Sequence, residues 1–124
     1  MKVNKFEMLF NLVERWLTLH EEGKTIPQIL AGRGIHTISI YGLGKIGKHM
    51  LWELRDSEVT VLYMLDRART GICDGIPVKK AEEELPEVDA VIVTAVYEYD
   101  EIEKMLADRV SCPVISLEEI LYEG

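Results

Sequence analysis

Hydrophobic and polar positions along the chain repeat with two periods, one helical and one typical of strands. Residues 5–21 place their apolar side chains on an arc of about 200° of a helical wheel, which predicts a long N-terminal helix. A shorter helix is expected to begin at residues 25–27 and to end by Gly32 or Gly34. From residue 37 onwards, apolar runs of strand length alternate with helical segments. The expected strands are 37–41, 59–65, 76–78, 90–96 and 113–115, and the helices after them are 45–56, 99–109 and a last one that opens with a capping box at 116–119.

This alternation predicts an α/β fold with a doubly wound, mostly parallel sheet of about five strands and an extra N-terminal helix. The expected strand order is 3-2-1-4-5, counted along the chain. Because Pro77 cannot donate to a sheet ladder, the strand 76–78 is expected at an edge. We therefore divide the chain into a helical N-terminal extension, residues 1–35, and an α/β domain, residues 36–124.

Composition limits the classes of function. The 124 residues, of which 48% are hydrophobic, match one ordinary globular domain. With 14 Lys and Arg against 22 Asp and Glu, the net charge of −8 argues against a nucleic-acid partner. The sequence shows neither a signal peptide nor an apolar run of the roughly 20 residues that span a bilayer, so no membrane partner is expected. Two cysteines are too few for a disulfide scaffold, so a cytoplasmic location is expected.

A glycine motif follows the first strand and opens the next helix. Gly42 permits a tight turn, and Gly44 carries no Cβ to block the approach of a phosphate. Gly47 allows the helix and the strand to pack closely, while the helix start offers free N–H groups to an anion. The alternative is a compact turn in a domain that binds nothing. The six residues of this G-x-G-x-x-G motif are Gly42, Leu43, Gly44, Lys45, Ile46 and Gly47.

An acidic residue stands where such folds bind ribose. Asp66 lies 24 residues after Gly42, at the end of the second expected strand. A carboxylate there accepts hydrogen bonds from ribose hydroxyls and repels a 2′-phosphate, which favours NAD over NADP. Arg67 and Arg69 blur this preference, because a guanidinium can pair with phosphate or stack on adenine. A solvated turn aspartate is the alternative for Asp66.

The segment 40–48 is similar to the Rossmann-like domains of bacterial nucleotide-sugar and surface-polysaccharide proteins, and it resembles the CoA-binding domain family. The resemblance extends over segments 65–67, 74–78, 88–94 and 113–121. It implies phosphate contacts at Gly42, Gly44 and Gly47 and a ribose contact at Asp66. It leaves NAD, NADP, CoA and nucleotide sugars open as ligands, with NAD preferred. It also implies a place in a sugar or polysaccharide pathway.

Residues suited to chemistry follow the strand 90–96, at the sheet edge that carries the glycine motif. Thr94 and Tyr97 are candidates to line a ligand, whereas a catalytic role is the weaker interpretation because acidic side chains also suit a helix N-terminus. The histidines and cysteines show no metal-ligand spacing. The full set of candidates for chemistry in this segment is Thr94, Tyr97, Glu98, Tyr99 and Asp100.

Two hypotheses of function follow. The first is a nucleotide- or dinucleotide-binding domain without a complete active site, acting in sensing, regulation or the completion of a partner's site. The second is an oxidoreductase or epimerase-like enzyme whose site is completed across a homodimer. The apolar arc of helix 5–21 is too wide for one covering helix, so a homodimer through this helix is expected. The alternative is that residues 24–34 fold back over its outer flank.

Overall fold

The computed structural model describes residues 4–123 and shows an α/β fold with a six-stranded, mostly parallel sheet. The helices are α1 (Lys5–Glu21), α2 (Ile26–Gly32), α3 (Lys45–Leu54), α4 (Tyr99–Leu106) and α5 (Leu117–Glu123), with a 3₁₀ turn at Val96–Glu98. The strands are β1 (Thr37–Tyr41), β2 (Thr60–Leu65), β3 (Gly71–Cys73), β4 (Ile76–Lys79), β5 (Ala90–Val93) and β6 (Val114–Ser116). The predicted α/β class with a mostly parallel sheet is confirmed.

The strand order β3-β4-β2-β1-β5-β6 differs from the predicted order because the sheet contains a strand that the prediction omits. This strand, β3, pairs antiparallel with β4, and all other neighbours are parallel. The turn between β3 and β4 is formed by Asp74 and Gly75, both with positive φ angles of 50° and 80°. An Asp-Gly pair of this kind makes the two-residue hairpin turn whose twist matches that of the strands. Without β3 the order is β4-β2-β1-β5-β6.

The expectation that residues 76–78 form an edge strand is therefore wrong. Strand β4 lies between β3 and β2, although Pro77 has no N–H to donate. The parallel pairing with β2 involves Val78 and Lys79, so the ladder on that side begins after Pro77. On the other side Pro77 faces Ile72 of the three-residue β3. The proline is tolerated because the pairing on both sides is short.

The sheet buries both of its faces. On one face α1, α2, α3 and α5 pack around inward side chains such as Ile40 and Ile92. On the other face α4 and the segment 80–89 cover a smaller core that includes Tyr63 and Val91. The helices of the N-terminal extension belong to the first of these cores, where Leu12 and Leu30 are fully buried. The extension therefore contributes to the same hydrophobic core as the sheet.

Local sequence explains where the first two helices begin. Asn4 caps α1 by accepting the N–H of Phe6 at 2.8 Å, and Thr25 forms a reciprocal capping box with Gln28 at the start of α2. Pro27 occupies the first turn of α2, where its missing N–H has no helical partner to lose. Across residues 4–123, no helix is long and apolar enough to cross a membrane.

Candidate functional site

The glycine motif forms a tight loop between the end of β1 and the first turn of α3. Gly42 has a φ of 112°, a conformation that side chains with a Cβ rarely adopt. Its N–H donates to the carbonyl of Leu65 at 2.9 Å, which ties the loop to the end of β2. A Cβ on Gly42 would come closer than 3.0 Å to the hydroxyl of Thr94. The fold itself therefore requires glycine at this position.

Gly47 is also required by packing, whereas Gly44 is not. A Cβ on Gly47 would overlap the carbonyl oxygen of Gly42, because the first turn of α3 lies directly against the loop. At Gly44 the backbone is extended, with φ −73° and ψ −167°, which any residue adopts. Among the described residues, no heavy atom lies within 4 Å of the position that a Cβ on Gly44 would take. The outer side of the loop at Gly44 is open.

The start of α3 carries no side-chain cap. Gly44 is the N-cap residue, and no side chain of the described chain accepts a hydrogen bond from the first turn that follows it. The N–H groups of a first turn have no partners within their own helix. In a helix of ten residues they also lie at the positive end of the helix dipole. Lys45 and Lys48 are exposed on this helix, so its start carries positive charge in an acidic chain.

Asp66 lies beside the glycine loop, as its place after β2 predicts. One carboxylate oxygen accepts the N–H of Leu43 at 3.0 Å, and the other accepts those of Ala68 and Arg69 at 2.9 and 3.0 Å. Partial burial raises the pKa of Asp66, but these three hydrogen bonds outweigh it, so the net effect is a lowered pKa. Asp66 is thus an ionised carboxylate that joins two loops. The oxygen that accepts from Leu43 has a second lone pair, which can accept one further hydrogen bond.

Arg67 crosses the end of β1. Its guanidinium lies 3.7 Å from a carboxylate oxygen of Glu98, in the 3₁₀ turn that follows β5. A hydrogen bond with Tyr41 and the charge of Glu98 raise the pKa of Arg67. The side chain of Arg67 is largely exposed. It therefore spans from the β2 side to the β5 side of the sheet edge that carries the loop.

Thr94 and Tyr97 occupy different environments. Strand β5 ends at Val93 rather than at residue 96, so both residues lie in the segment that leaves the sheet. Thr94 is 4% exposed, and its hydroxyl lies 3.0 Å from the carbonyl oxygen of Tyr41 and 3.3 Å from that of Gly42. Tyr97 is partly exposed, with the ammonium of Lys5 4.5 Å from its ring centre. Thr94 is buried against the backbone of the glycine loop, whereas Tyr97 is partly exposed to solvent.

A crevice of about 980 Å³ opens between the N-terminal half of α1, the segment after β5, and α5. Tyr97 and Tyr99 contribute aromatic surface to it. Its acidic lining disfavours a phosphate inside it, because like charges repel. The acidic side chains that line it are Glu98, Asp100, Glu101, Glu118 and Glu119.

The candidates for catalysis in this segment are engaged in structural contacts or exposed at a helix start. The hydroxyl of Tyr99 lies 2.8 Å from a carboxylate oxygen of Glu103 and 2.6 Å from the carbonyl oxygen of Val114. Burial and the contact with Glu103 raise the pKa of Tyr99 to about 12, so this phenol stays protonated at neutral pH. Asp100 lies exposed in the first turn of α4, where a negative charge suits the helix dipole.

Two features of this sheet edge could not be predicted from the sequence: the contact between Lys5 and Tyr97, and the hydrogen bonds within residues 66–69. Lys5 reaches Tyr97 only because α1 lies across the end of the segment that follows β5. Two of the three hydrogen bonds to Asp66, from the N–H groups of Ala68 and Arg69, depend on the exact path of residues 66–69. Neither feature follows from a local pattern. No group of three His, Cys, Asp or Glu residues within 4–123 is arranged to hold a metal ion.

The glycine loop, Asp66, Arg67 and Thr94 therefore meet at the carboxyl edge of the sheet, beside an acidic crevice. In comparisons with known proteins, no family model and no curated protein matches the chain.

Proposed function

We propose that the chain binds a nucleotide or dinucleotide through its phosphates at the loop 42–47, as a cytoplasmic domain that lacks a complete active site of its own. The observation that carries the proposal is the contrast among the three glycines of the motif. Packing explains Gly42 and Gly47, whereas a side chain at Gly44 would meet only open space. A ligand that approaches the backbone at Gly44 supplies the missing reason for a glycine there.

The N-cap position strengthens this reasoning. The side chains of Ser, Thr, Asp and Asn stabilise helices at the N-cap by accepting a first-turn N–H, and glycine has no side chain to do so. With Gly44 at this position, the first-turn amides stay available to an anion. Lys45, Lys48 and Arg67 supply positive charge around them in a chain whose net charge is −8. These features together favour a phosphate group on the open side of the loop.

The surroundings of the loop favour NAD among the candidate ligands. A dinucleotide lying along the carboxyl edge of the sheet would have its ends near Asp66 after β2 and in the crevice after β5. The ionised carboxylate of Asp66 suits ribose hydroxyls and disfavours a 2′-phosphate. The acidic crevice suits an uncharged or cationic group, and an oxidised nicotinamide ring is cationic. Additional phosphates, as in NADP or CoA, would add negative charge beside these carboxylates.

The resemblance of segment 40–48 to domains of nucleotide-sugar and surface-polysaccharide proteins supports a biological setting for this binding. In that setting the domain would sense a nucleotide, or complete the site of a partner enzyme in a sugar or polysaccharide pathway. Nucleotide sugars therefore belong among the ligands to be tested.

Isothermal titration with NAD, NADP, CoA and a nucleotide sugar tests the proposal. We expect NAD to bind more tightly than NADP, and Gly44→Ala to weaken binding by roughly tenfold or more, the effect of losing one hydrogen bond to a charged group. Gly32→Ala is the matched control, since a Cβ at Gly32 also meets open space, but in α2 and far from the loop along the chain. Both variants should keep the unfolding temperature of the wild type within a few degrees.

Two results would contradict the proposal. The first is that none of the four ligands binds at millimolar concentration. The second is that Gly44→Ala binds as well as Gly32→Ala, because the open side of the loop would then be irrelevant to the ligand. Equal affinities for NAD and NADP would overturn only the role given to Asp66.

A further inference from the structure

The outer face of α1 carries a continuous apolar stripe. Phe6, Phe10, Val13 and Leu17 follow one another at spacings of four, three and four residues, which places them on one line along a helix. Their exposed fractions are 77%, 69%, 36% and 61%. The opposite face of α1 is the one that enters the core. The stripe is therefore additional to the surface that attaches α1 to the domain.

The stripe continues onto α3. Trp52 is 69% exposed, and a groove of about 330 Å³ between the two helices joins it to Val13 and Leu17. Ile46 and His49 line the same groove. We call the surface formed by Phe6, Phe10, Val13, Leu17 and Trp52 the apolar patch. It is contiguous across two helices, and such surfaces mark interaction sites.

The rest of the described chain does not cover the apolar patch. Residues 24–34, the alternative cover, form α2, which packs against α3 and α5 instead. Helix α1 reaches Trp52 only at the edge of the groove, and the Trp52 side chain stays 69% exposed. The outer flank of α1 therefore stays exposed within residues 4–123.

The exposed area is appropriate for an interface between proteins. A buried aromatic side chain removes about 150–250 Å² from water, so the exposed fractions of Phe6, Phe10 and Trp52 amount to on the order of 400 Å². A standard interface takes about 800 Å² from each partner. The three aromatic side chains alone supply about half of this, and Val13, Leu17 and the polar border supply further area.

Charges of opposite sign border the apolar patch on its two sides. Glu7, Glu14 and Glu21 recur every seven residues along the outer side of the stripe, and all three are exposed. On the other side, beyond the groove, α3 exposes Lys45 and Lys48 around Trp52. One border is acidic and the other is basic.

This arrangement is complementary to itself in one orientation. A two-fold axis parallel to α1 exchanges the two borders, so the acidic border of one copy faces the basic border of the other. A two-fold axis perpendicular to α1 would place acidic against acidic and basic against basic. We propose that the apolar patch binds a second copy of this chain, with the two α1 helices parallel and each glutamate row facing the partner's α3.

Sedimentation equilibrium over a range of concentrations tests the dimer. The wild type is expected to be a dimer, and Phe10→Glu and Leu17→Glu are each expected to raise the dimer dissociation constant by at least roughly tenfold, as for central apolar contacts. Ile72→Glu is the matched control, because Ile72 is an equally exposed apolar residue on β3, outside the patch. Circular dichroism should show that all three variants stay folded, since the substituted side chains are exposed.

Cross-linking tests the orientation. In the parallel arrangement Leu17 lies opposite Leu17 of the second copy, so Leu17→Cys should form a disulfide-linked dimer on mild oxidation, well above the background of the wild type with its two native cysteines. In an antiparallel pair centred on the stripe, the two copies of residue 17 would lie on the order of 15 Å apart, too far for a disulfide. The charge reversal Glu14→Lys should weaken the dimer, because Lys would then face the basic border of the second copy. Adding Lys48→Glu to the same chain should restore part of the lost affinity.

A wild type that stays monomeric at millimolar concentration would overturn the proposal. A dimer that Phe10→Glu and Leu17→Glu leave intact would also overturn it, since the interface would then lie elsewhere. A dimer without the Leu17→Cys cross-link would refute the parallel orientation. Lys45 and Lys48 also lie at the proposed phosphate site, so sedimentation is measured without nucleotide and a separate titration measures nucleotide binding.

Discussion

Glu53 joins three helices, and its removal is expected to destabilise the protein strongly. From α3, one carboxylate oxygen accepts the indole N–H of Trp16 at 2.9 Å and contacts the ring of His20, both on α1. The other oxygen accepts the backbone N–H of Ile26 at 2.7 Å, at the start of α2. The side chain of Glu53 is only 8% exposed, so water could not easily take its place as the hydrogen-bond acceptor. The sequence places these residues up to 37 positions apart.

The magnitude follows from the donors that Glu53→Ala would leave without an acceptor. Trp16 and Ile26 are both buried, and a buried donor without a partner costs about 1–3 kcal/mol. Two such donors predict a loss of roughly 2–6 kcal/mol, a large part of the 5–15 kcal/mol by which a domain is stable. Glu53→Gln keeps one carbonyl acceptor and should lose about half as much. The amide nitrogen of the substituted side chain cannot accept a hydrogen bond, so one donor stays unpaired.

Urea unfolding monitored by circular dichroism measures these losses. Glu82→Ala is the matched control, because Glu82 is exposed on the segment that covers the other face of the sheet. The indole N–H resonance of Trp16 should shift in both Glu53 variants and stay in place in the control. A loss below about 0.5 kcal/mol in Glu53→Ala, the usual size of a surface substitution, would refute the view that Glu53 anchors α1 and α2 to α3.

Two further predictions concern the loop. Gly47→Ala should destabilise the protein by about 1–2 kcal/mol in thermal unfolding. Overpacking against a backbone carbonyl, here that of Gly42, costs about 2–3 kcal/mol, and the better helix propensity of Ala returns about 1 kcal/mol. A variant as stable as Gly44→Ala would contradict the tight contact. Because the folded state lowers the pKa of Asp66 below its ordinary 3.8, the stability that its ionised form contributes is present above that pH and is lost as the pH falls through the lower, folded-state pKa. The stability difference between wild type and Asp66→Asn should therefore be greatest near neutral pH and shrink below about pH 3.8; a difference independent of pH would contradict it.

Hydrophobic periodicity predicts most of the fold because burial on both faces of a parallel sheet leaves continuous apolar runs. Strand β5 is the clearest example, with all four residues buried. Strand β3 escapes such a prediction because it has three residues and none of them is fully buried. The sequence does carry a signal for it, the Asp74-Gly75 pair, which favours a two-residue hairpin. This strand can be predicted from the residues of its turn but not from the pattern of hydrophobic positions.

The candidate site is predicted well where it depends on topology and poorly where it depends on side-chain contacts. Parallel strands bring Gly42, Asp66 and Thr94 to one sheet edge, and the structure places them together there. That Asp66 hydrogen-bonds to two loops, and that the Thr94 hydroxyl contacts the backbone at the glycine loop, can be seen only from atomic positions. The same holds for Glu53, whose partners belong to two other helices. No local pattern in the sequence indicates these contacts.

Helix α3 serves three surfaces because successive residues of a helix point in directions about 100° apart. Gly47 faces the loop, Glu53 faces α1 and α2, and Trp52 faces outward in the apolar patch. Removing the Glu53 carboxylate is expected to loosen α1, which carries most of that patch, and so to weaken self-association as well as stability. Gly44→Ala changes only the open side of the loop and leaves α1 in place. If the dimer persists in Gly44→Ala while nucleotide binding is lost, the two surfaces act independently although one helix of ten residues contributes to both.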